Sequence, residues 1–181
     1  WYRWVPERYS TPLSIAFAFV ATHNHFVLDR GGKVFKQSAP VIKLPEEAGE
    51  DEHLELLGVL NSSTACFWLK QVCHNKGGPG GGYSKGEKWR DFYQFNGTKV
   101  SKFPLPAVLP LNLGRALDSL AQDLAAQEPS AIAEAATPTR ERLDAARAEH
   151  ARIRGRMIAL QEELDWTVYH SYGLLDDTER A

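Results

Sequence analysis

The chain has 181 residues, of which 43% are hydrophobic and 24% charged, with a formal net charge of −2. This composition is typical of a globular protein with one domain or two small ones, and no apolar run reaches the roughly 18 residues of a membrane helix. Cys66 and Cys73 are two helical turns apart on one predicted helix, too far for a disulfide, so we expect a reducing cytoplasm. Because the chain begins at Trp1 and its only methionine is Met157, we expect it to be a segment of a longer protein.

Short strands are predicted over the first 45 residues. The apolar runs that predict them are 13–20, 25–29, 34–36 and 41–44. Gly31 and Gly32 suit a tight turn between the second and third runs, since glycine reaches positive φ without a Cβ clash.

From residue 54 the apolar spacing becomes helical. The residues at this spacing are Leu54, Leu57, Leu60, Ala65, Trp68, Leu69 and Val72. Asn61, Ser62 and Ser63 interrupt the pattern, and these residue types favour helix caps over helix interiors. We therefore predict a kink or two abutting helices at this point.

Charge is concentrated in the middle of the chain. Residues 70–102 carry seven Lys or Arg against two acids, whereas the segments on either side are acidic. The same stretch contains the rings of Tyr83, Trp89, Phe92, Tyr93 and Phe95. A solvated face is the ordinary interpretation of a charge run. Cations interleaved with aromatic rings are, however, what a nucleic-acid surface requires, and both interpretations stay open here.

The centre of this segment reads KGGPGGGYSKGEKW from Lys76 to Trp89. It does not match a nucleotide-binding loop, because Gly81 is followed after four residues by Gly86-Glu87-Lys88 and not by Gly-Lys-Ser/Thr. A strand before it and a helix after it, which such loops need, are also not predicted. We expect a mobile basic loop that becomes ordered only on a DNA duplex.

Two short strands are predicted next, at 92–95 and 99–105, around a turn at Asn96-Gly97. A helical pattern follows, with Leu113, Leu117, Leu120 and Leu124 spaced by three or four. A break is predicted at 128–130 and through the alanine-rich residues 131–136.

The last predicted element is a long helix. Thr137 is the predicted cap, with Pro138 at the first helical position, and Gly173 the residue that follows its end. A heptad-like seam runs through Leu143, Ala146, His150, Ile153, Met157, Leu160 and Leu164. Such a seam requires a partner helix, and the preceding helix, folded back, is the nearest one.

The sequence thus predicts an α+β fold. A small mixed sheet-and-helix domain is expected over residues 1–110, and a long antiparallel, coiled-coil-like helical hairpin over residues 111–181. The two helices of the hairpin either stabilise each other by burying their seams, or also act as a spacer or docking element for a partner.

Motifs for catalysis and metal binding are missing from the sequence. His23, His25, Cys66, Cys73 and His74 do not follow a zinc-binding spacing, and core cysteines with surface histidines are the simpler interpretation. No serine elbow or zinc-protease motif occurs. We assign no catalytic, cofactor-binding or metal-binding residue, and do not expect this chain alone to be an enzyme.

Four stretches together carry a resemblance to a known family. They are His23–Gly32 continuing to Ala39–Ile42, Leu56–Ser63 with Phe67–Lys70, Phe103–Pro106, and Leu160–Trp166 with Tyr169 and Tyr172–Leu174. In order and spacing they resemble the C-terminal target-recognition region of PglX-like (BREX) and type IIG, TaqI-like adenine-specific DNA methyltransferases. The resemblance covers most of the chain.

This resemblance implies a function in phage defence or restriction–modification. Such enzymes transfer a methyl group from S-adenosylmethionine to adenine N6 of a flipped base, in a catalytic domain with an Asn-Pro-Pro-Tyr motif. That motif does not occur here, so the resemblance implies the specificity module without the catalytic domain. The implied partners are double-stranded DNA, the N-terminal methyltransferase domain and other defence-system subunits; no membrane is implied.

Candidate DNA-binding residues follow from their chemistry. The cations are Lys76, Lys85, Lys88, Arg90 and Lys99, as phosphate or base contacts, and Tyr83 and Trp89 are stacking candidates. For Trp89, a role as a core anchor is an equally good interpretation. The alternative function is a protein-interaction module that docks other subunits of a defence complex through the helical hairpin.

Overall fold

The computed structural model describes residues 12–78 and 87–175 and shows the predicted α+β fold. Its strands are β1 (Ser14–Phe17), β2 (Val20–Ala21), β3 (Phe26–Asp29), β4 (Val41–Ile42), β5 (His74–Gly77) and β6 (Phe92–Gln94). Its α-helices are α1 (Glu50–Leu60), α2 (Ser63–Val72), α3 (Gly97–Val100), α4 (Leu111–Ala126), α5 (Pro129–Ala135) and α6 (Arg140–Ser171). A 3-10 turn, Lys88–Arg90, precedes β6.

The first sheet is antiparallel, with the order β3-β1-β4. Its central strand β1 is buried at all four positions, and Ile15 lies opposite Leu28 on one side and Ile42 on the other. The predicted turn after β3 is confirmed, with φ of 92° at Gly31 and 79° at Gly32.

The strand predicted at residues 34–36 is wrong. This stretch is a loop, and the Val34 side chain is 69% exposed. The second edge of β1 is occupied instead by the residues that follow, since the Phe17 N–H donates to the Pro40 carbonyl at 3.0 Å. The adjacent Val34 and Phe35 resemble a strand in residue type, but here no apolar surface covers the valine.

The second sheet has the order β2-β6-β5, and all its pairings are antiparallel. Its hairpin, β5–β6, ends at the pair Gly77–Phe92, so residues 78–91 connect the two strands there. The apolar run 13–20 was predicted as one strand, but it divides between the two sheets as β1 and β2.

The predicted break between two helices is confirmed at Asn61–Ser63. α1 ends at Leu60, and the Ser62 hydroxyl accepts the Ala65 N–H at 3.2 Å to cap α2. The Asn61 side chain also caps the free edge of β3, because it accepts the Phe26 N–H at 3.0 Å and donates to the Phe26 carbonyl at 2.9 Å.

The strand predicted at residues 99–105 is wrong, whereas the one at 92–95 is confirmed as β6. Asn96 does not begin a hairpin turn; its side chain accepts the Lys99 N–H at 3.0 Å and caps the short helix α3. Val100 and Phe103, three positions apart, are both buried in the core. The ambiguity is physical, since asparagine favours both tight turns and helix caps.

In the C-terminal third, α4 is confirmed, and α6 ends as predicted, with Gly173 at a φ of 66° just after it. The predicted break is confirmed only between Ala126 and Pro129; its continuation through residues 131–136 is wrong, because Pro129 begins the short helix α5. The cap of α6 is also two residues later than predicted: Thr139, not Thr137, accepts the Arg142 N–H, at 3.3 Å. Proline therefore precedes the cap instead of following it.

α4 and α6 run antiparallel. The start of α4 lies beside the end of α6, since Gly114 and Leu164 both lie against Gly58 of α1. At the opposite end, Glu128 Oε1 is 3.6 Å from His150 Nε2. On the predicted seam of α6, Ala146, Ile153 and Leu164 are buried and the other four positions are half-buried.

One hydrophobic core includes residues from both predicted domains. Leu164 and Val168 of α6 are fully buried in the cluster that also holds Leu60 and Phe95. The division at residue 110 stays a prediction, but any variant that removes α6 would open this core.

Candidate nucleic-acid interface

The connection between β5 and β6 leaves the sheet from a fixed base. Asn75 lies just before a register shift, and its side-chain oxygen accepts the Gly77 N–H at 2.7 Å. Its side-chain nitrogen donates to Asp91 Oδ2 at 3.0 Å, across the hairpin. Gly77 has a φ of 84°, a conformation that favours glycine. Both ends of the connection are therefore held together, whatever the residues between them do.

Exposed side chains surround this base. Lys76 is exposed on β5, and Trp89 is 72% exposed in the 3-10 turn before β6. The Arg90 guanidinium carbon is 5.9 Å from the Trp89 ring centroid, and Arg90 Nη1 is 2.7 Å from Glu87 Oε2. The exposure of Trp89 excludes the core-anchor interpretation. An exposed indole with an adjacent guanidinium can stack on a base and contact a phosphate.

The candidate residues do not all lie at one place. Lys76, Trp89 and Arg90 lie at the end of the second sheet where the β5–β6 connection begins; we call this the loop end. Lys99 lies in α3, beyond the other end of the three-residue strand β6, which is about 10 Å long.

Three candidates have no described side chain. Tyr83 and Lys85 lie outside the described residues, as does the central part of the glycine-rich segment. Lys88 belongs to the 3-10 turn, but its side chain is likewise outside the described part. The expectation that the loop becomes ordered on DNA stays a prediction.

The β2–β6 pairing brings further cations to the loop end that sequence reasoning did not select. β2 runs antiparallel to β6, with Val20 opposite Gln94 and Ala21 opposite Tyr93, so the chain continues from β2 towards the loop end. His23 follows directly and is exposed. Lys70 of α2 places its Nζ 5.5 Å from the Tyr93 ring centroid. Lys70 lay within the basic segment, but no sequence signal connected it with His23.

The two ends of the second sheet differ in the direction of the pKa shifts of the titratable groups near them. The pKa of His23 is lowered by partial desolvation of its ring, and then by the neighbouring His25 and Lys70. Towards the other end, burial raises the pKa of the Cys73 thiol, while a hydrogen bond from the Asn96 backbone and the charge of Lys99 act in the opposite direction.

A groove of about 640 Å³ lies between the β3 edge and helices α4 and α6, and His23 and His25 are among the residues that line it. Its arginine and aspartate side chains are already paired: Arg30 is 2.6 Å from both Glu50 and Asp118, and Asp165 accepts hydrogen bonds from Ser63. Among residues 12–78 and 87–175, no group of three His, Cys, Asp or Glu side chains could hold a metal ion. In the same residues, no helix is both long and apolar enough to cross a membrane.

The fold and this surface define an α+β protein with a basic and aromatic sheet end. No protein-family model matches the chain. Over 173 residues, 93% of its length, the chain is 55% identical to the adenine-specific methyltransferase PglX of Streptomyces coelicolor. The chain spans only 14% of the length of that protein. The similarity therefore relates this chain to one segment of a much larger methyltransferase.

Proposed function

We propose that this chain is the DNA target-recognition module of an adenine-specific DNA methyltransferase in a BREX-type or restriction–modification defence system. The observation that carries the proposal is the 55% identity to a segment of PglX, joined to the cations and exposed indole at the loop end. The methyl transfer from S-adenosylmethionine belongs, in this proposal, to a catalytic domain elsewhere in the parent protein. This chain binds double-stranded DNA.

The contacts at the loop end fit the chemistry of a DNA backbone. Lys76 offers an exposed point charge, and Arg90 a planar guanidinium that can bind two phosphate oxygens at once. Arg90 pairs with Glu87 in the free protein, but both side chains are about half exposed. Such a pair contributes little, so a phosphate can replace the carboxylate at low cost. Trp89 is placed beside them to stack on a base or to wedge between base steps.

Fluorescence anisotropy with a labelled duplex of about 30 base pairs tests the proposal. We expect the logarithm of the association constant to fall linearly with the logarithm of the salt concentration. The magnitude of the slope should be about 0.9 for each neutralised phosphate. Arg90→Gln is expected to lower the magnitude of this slope by about one. Arg154→Gln, an equivalent charge change on an exposed site of α6, is the matched control.

Two outcomes would contradict the proposal at different levels. A chain that does not bind duplex at about 50 mM salt would overturn the DNA-binding role itself. If it binds, but Lys76→Gln and Arg90→Gln behave like the Arg154→Gln control, then the contacts lie elsewhere on the module.

A second candidate function, docking of another subunit through the helical hairpin, is favoured by one feature of α6. Ile158 is 55% exposed and Trp166 49% exposed, and with Tyr169 they lie within an arc of about 80° on the side away from the buried Ile153 and Leu164. Apolar side chains in such a stripe are typical of a helix that contacts a partner. Trp166→Glu in the parent protein is expected to abolish assembly and leave DNA affinity unchanged, which a pull-down and the anisotropy titration would measure together.

A further inference from the structure

A second group of cations lies on the β2 side of the loop end, apart from Lys76 and Arg90. We call His23, His25 and Lys70 the β2-side cluster. His23 is exposed where the chain leaves β2, on the opposite outer strand from Lys76, and the outer strands of a three-stranded sheet are about 10 Å apart. The cluster and the loop residues therefore flank the same sheet end.

The three side chains of the cluster are close together. The His23 and His25 ring centroids are 3.9 Å apart, and Thr22 Oγ1 lies 2.9 Å from His23 Nδ1. The charge of Lys70 is near enough to act on His23. The Lys70 ammonium group lies 5.5 Å from the Tyr93 ring centroid. Two exposed histidines and a half-buried lysine, which carry or can accept positive charge, thus lie near one another.

No acid balances this concentration among the described residues. None of the three side chains forms an ion pair there. The carboxylates in the groove that His23 and His25 also line have other partners: Asp118 is bonded to Arg30 and Gln122, and Asp165 to Ser63. Asp91, at the loop end, accepts from Asn75.

We propose that the β2-side cluster binds a phosphate of the DNA backbone, and that His23 takes up a proton when it does so. This inference rests on the proposed function and adds a second phosphate contact with a built-in pH response. In the free protein partial desolvation of the ring, and then the charges of His25 and Lys70, oppose a proton on His23, and its pKa is accordingly lowered. A phosphate placed among the three supplies the missing counter-charge and favours the protonated ring.

The direction of the pH dependence follows from this linkage. Because the pKa of His23 is higher in the complex than in the free protein, affinity increases as pH falls through the bound pKa and levels off below the free one. For the complete chain we expect the dissociation constant for duplex to fall roughly three- to tenfold between about pH 7.5 and pH 5.5, at fixed salt.

Three substitutions in the 181-residue chain test the assignment by anisotropy across this pH range. His23→Gln is expected to remove most of the pH dependence, and Lys70→Gln to lower the magnitude of the salt slope by about one at every pH. His150→Gln, which changes a histidine paired with Glu128 at the far end of α6, should keep the wild-type pH dependence.

The possible results distinguish a failure of the β2-side cluster from a failure of DNA binding by the whole module. Absence of duplex binding by the wild-type chain would overturn both. Salt-sensitive binding that does not change with pH, or that changes equally in wild type and His23→Gln, would overturn the β2-side cluster and leave DNA binding by the module standing. Loss of the pH response in His23→Gln, but not in His150→Gln, would support it.

Discussion

Gly114 of α4 lies directly against the backbone carbonyl of Leu54 in α1. A Cβ atom added to Gly114 would overlap that carbonyl oxygen and would be 3.6 Å from the Gly58 Cα. The absence of a side chain at Gly114 therefore lets the backbones of α1 and α4 approach each other more closely than any larger residue permits there. This close approach places α4, and through it α6, against the mixed part of the chain.

Gly114→Ala should accordingly destabilise the protein. Alanine raises helix propensity by about 1 kcal/mol, but overlap with a backbone oxygen forces the two helices apart, at a cost of about 1–3 kcal/mol or more. We expect a net loss of free energy of unfolding in chemical denaturation.

Gly155→Ala is the matched control for this prediction. Gly155 also lies within a helix, α6, but apart from the backbone of that helix no atom lies within 4 Å of its added Cβ. We expect this substitution to stabilise the protein by up to about 1 kcal/mol. Equal effects at the two sites would show that the α1–α4 approach is looser than described.

Asp165 joins the end of α6 to the beginning of α2. Its Oδ1 accepts the Ser63 N–H at 2.7 Å and its Oδ2 accepts the Ser63 hydroxyl at 2.6 Å. A carboxylate there also interacts favourably with the dipole of α2. Asp165→Ala should cost about 1–3 kcal/mol of unfolding free energy in urea. Asp144→Ala, which removes an exposed pair with Arg140, should change it by less than about 0.5 kcal/mol.

Tyr172 provides a pH-dependent link between the end of α6 and residues 103–106. Its hydroxyl donates to the Pro104 carbonyl at 2.5 Å, and burial raises the pKa of Tyr172 to about 12. Because the folded pKa lies above the unfolded value of 10, the contribution of this phenol to stability is complete below about pH 10 and is lost as pH rises towards 12.

Tyr172→Phe should remove this contribution. At neutral pH we expect a loss of about 1 kcal/mol for the missing hydrogen bond. An ultraviolet titration should show one phenol fewer ionising near pH 12. If wild type and variant lose stability equally between pH 10 and 12, the hydroxyl is not the group responsible.

The two free cysteines should differ in reactivity towards a thiol reagent. Cys66 is half-buried beside the open groove, whereas Cys73 is buried and its pKa is raised. Because the thiolate is the reactive form, we expect one thiol to react first at about pH 8, and Cys66→Ser to abolish that fast phase. A fast phase that disappears instead in Cys73→Ser would contradict the burial of Cys73.

Local periodicity is what made most helices and several strands predictable. α1, α2, α4 and α6 all follow apolar spacings of three and four, and the serine cap of α2 was visible in its residue type. The failures occurred where one residue suits two structures, as Asn96 suits both a turn and a cap, or where a short helix such as α5 has too few apolar contacts to leave a pattern.

The basic and aromatic character of the candidate interface was likewise predictable from residues that are neighbours along the chain. Lys76, Trp89 and Arg90 are close along the chain, so their composition alone indicated a basic and aromatic surface. Only the tertiary structure decided that Lys99 lies away from them and that His23 and Lys70 lie near. The reason is physical: strand pairing between β2 and β6 joins residues some seventy positions apart, and nothing in the local pattern of either strand specifies its partner or its register.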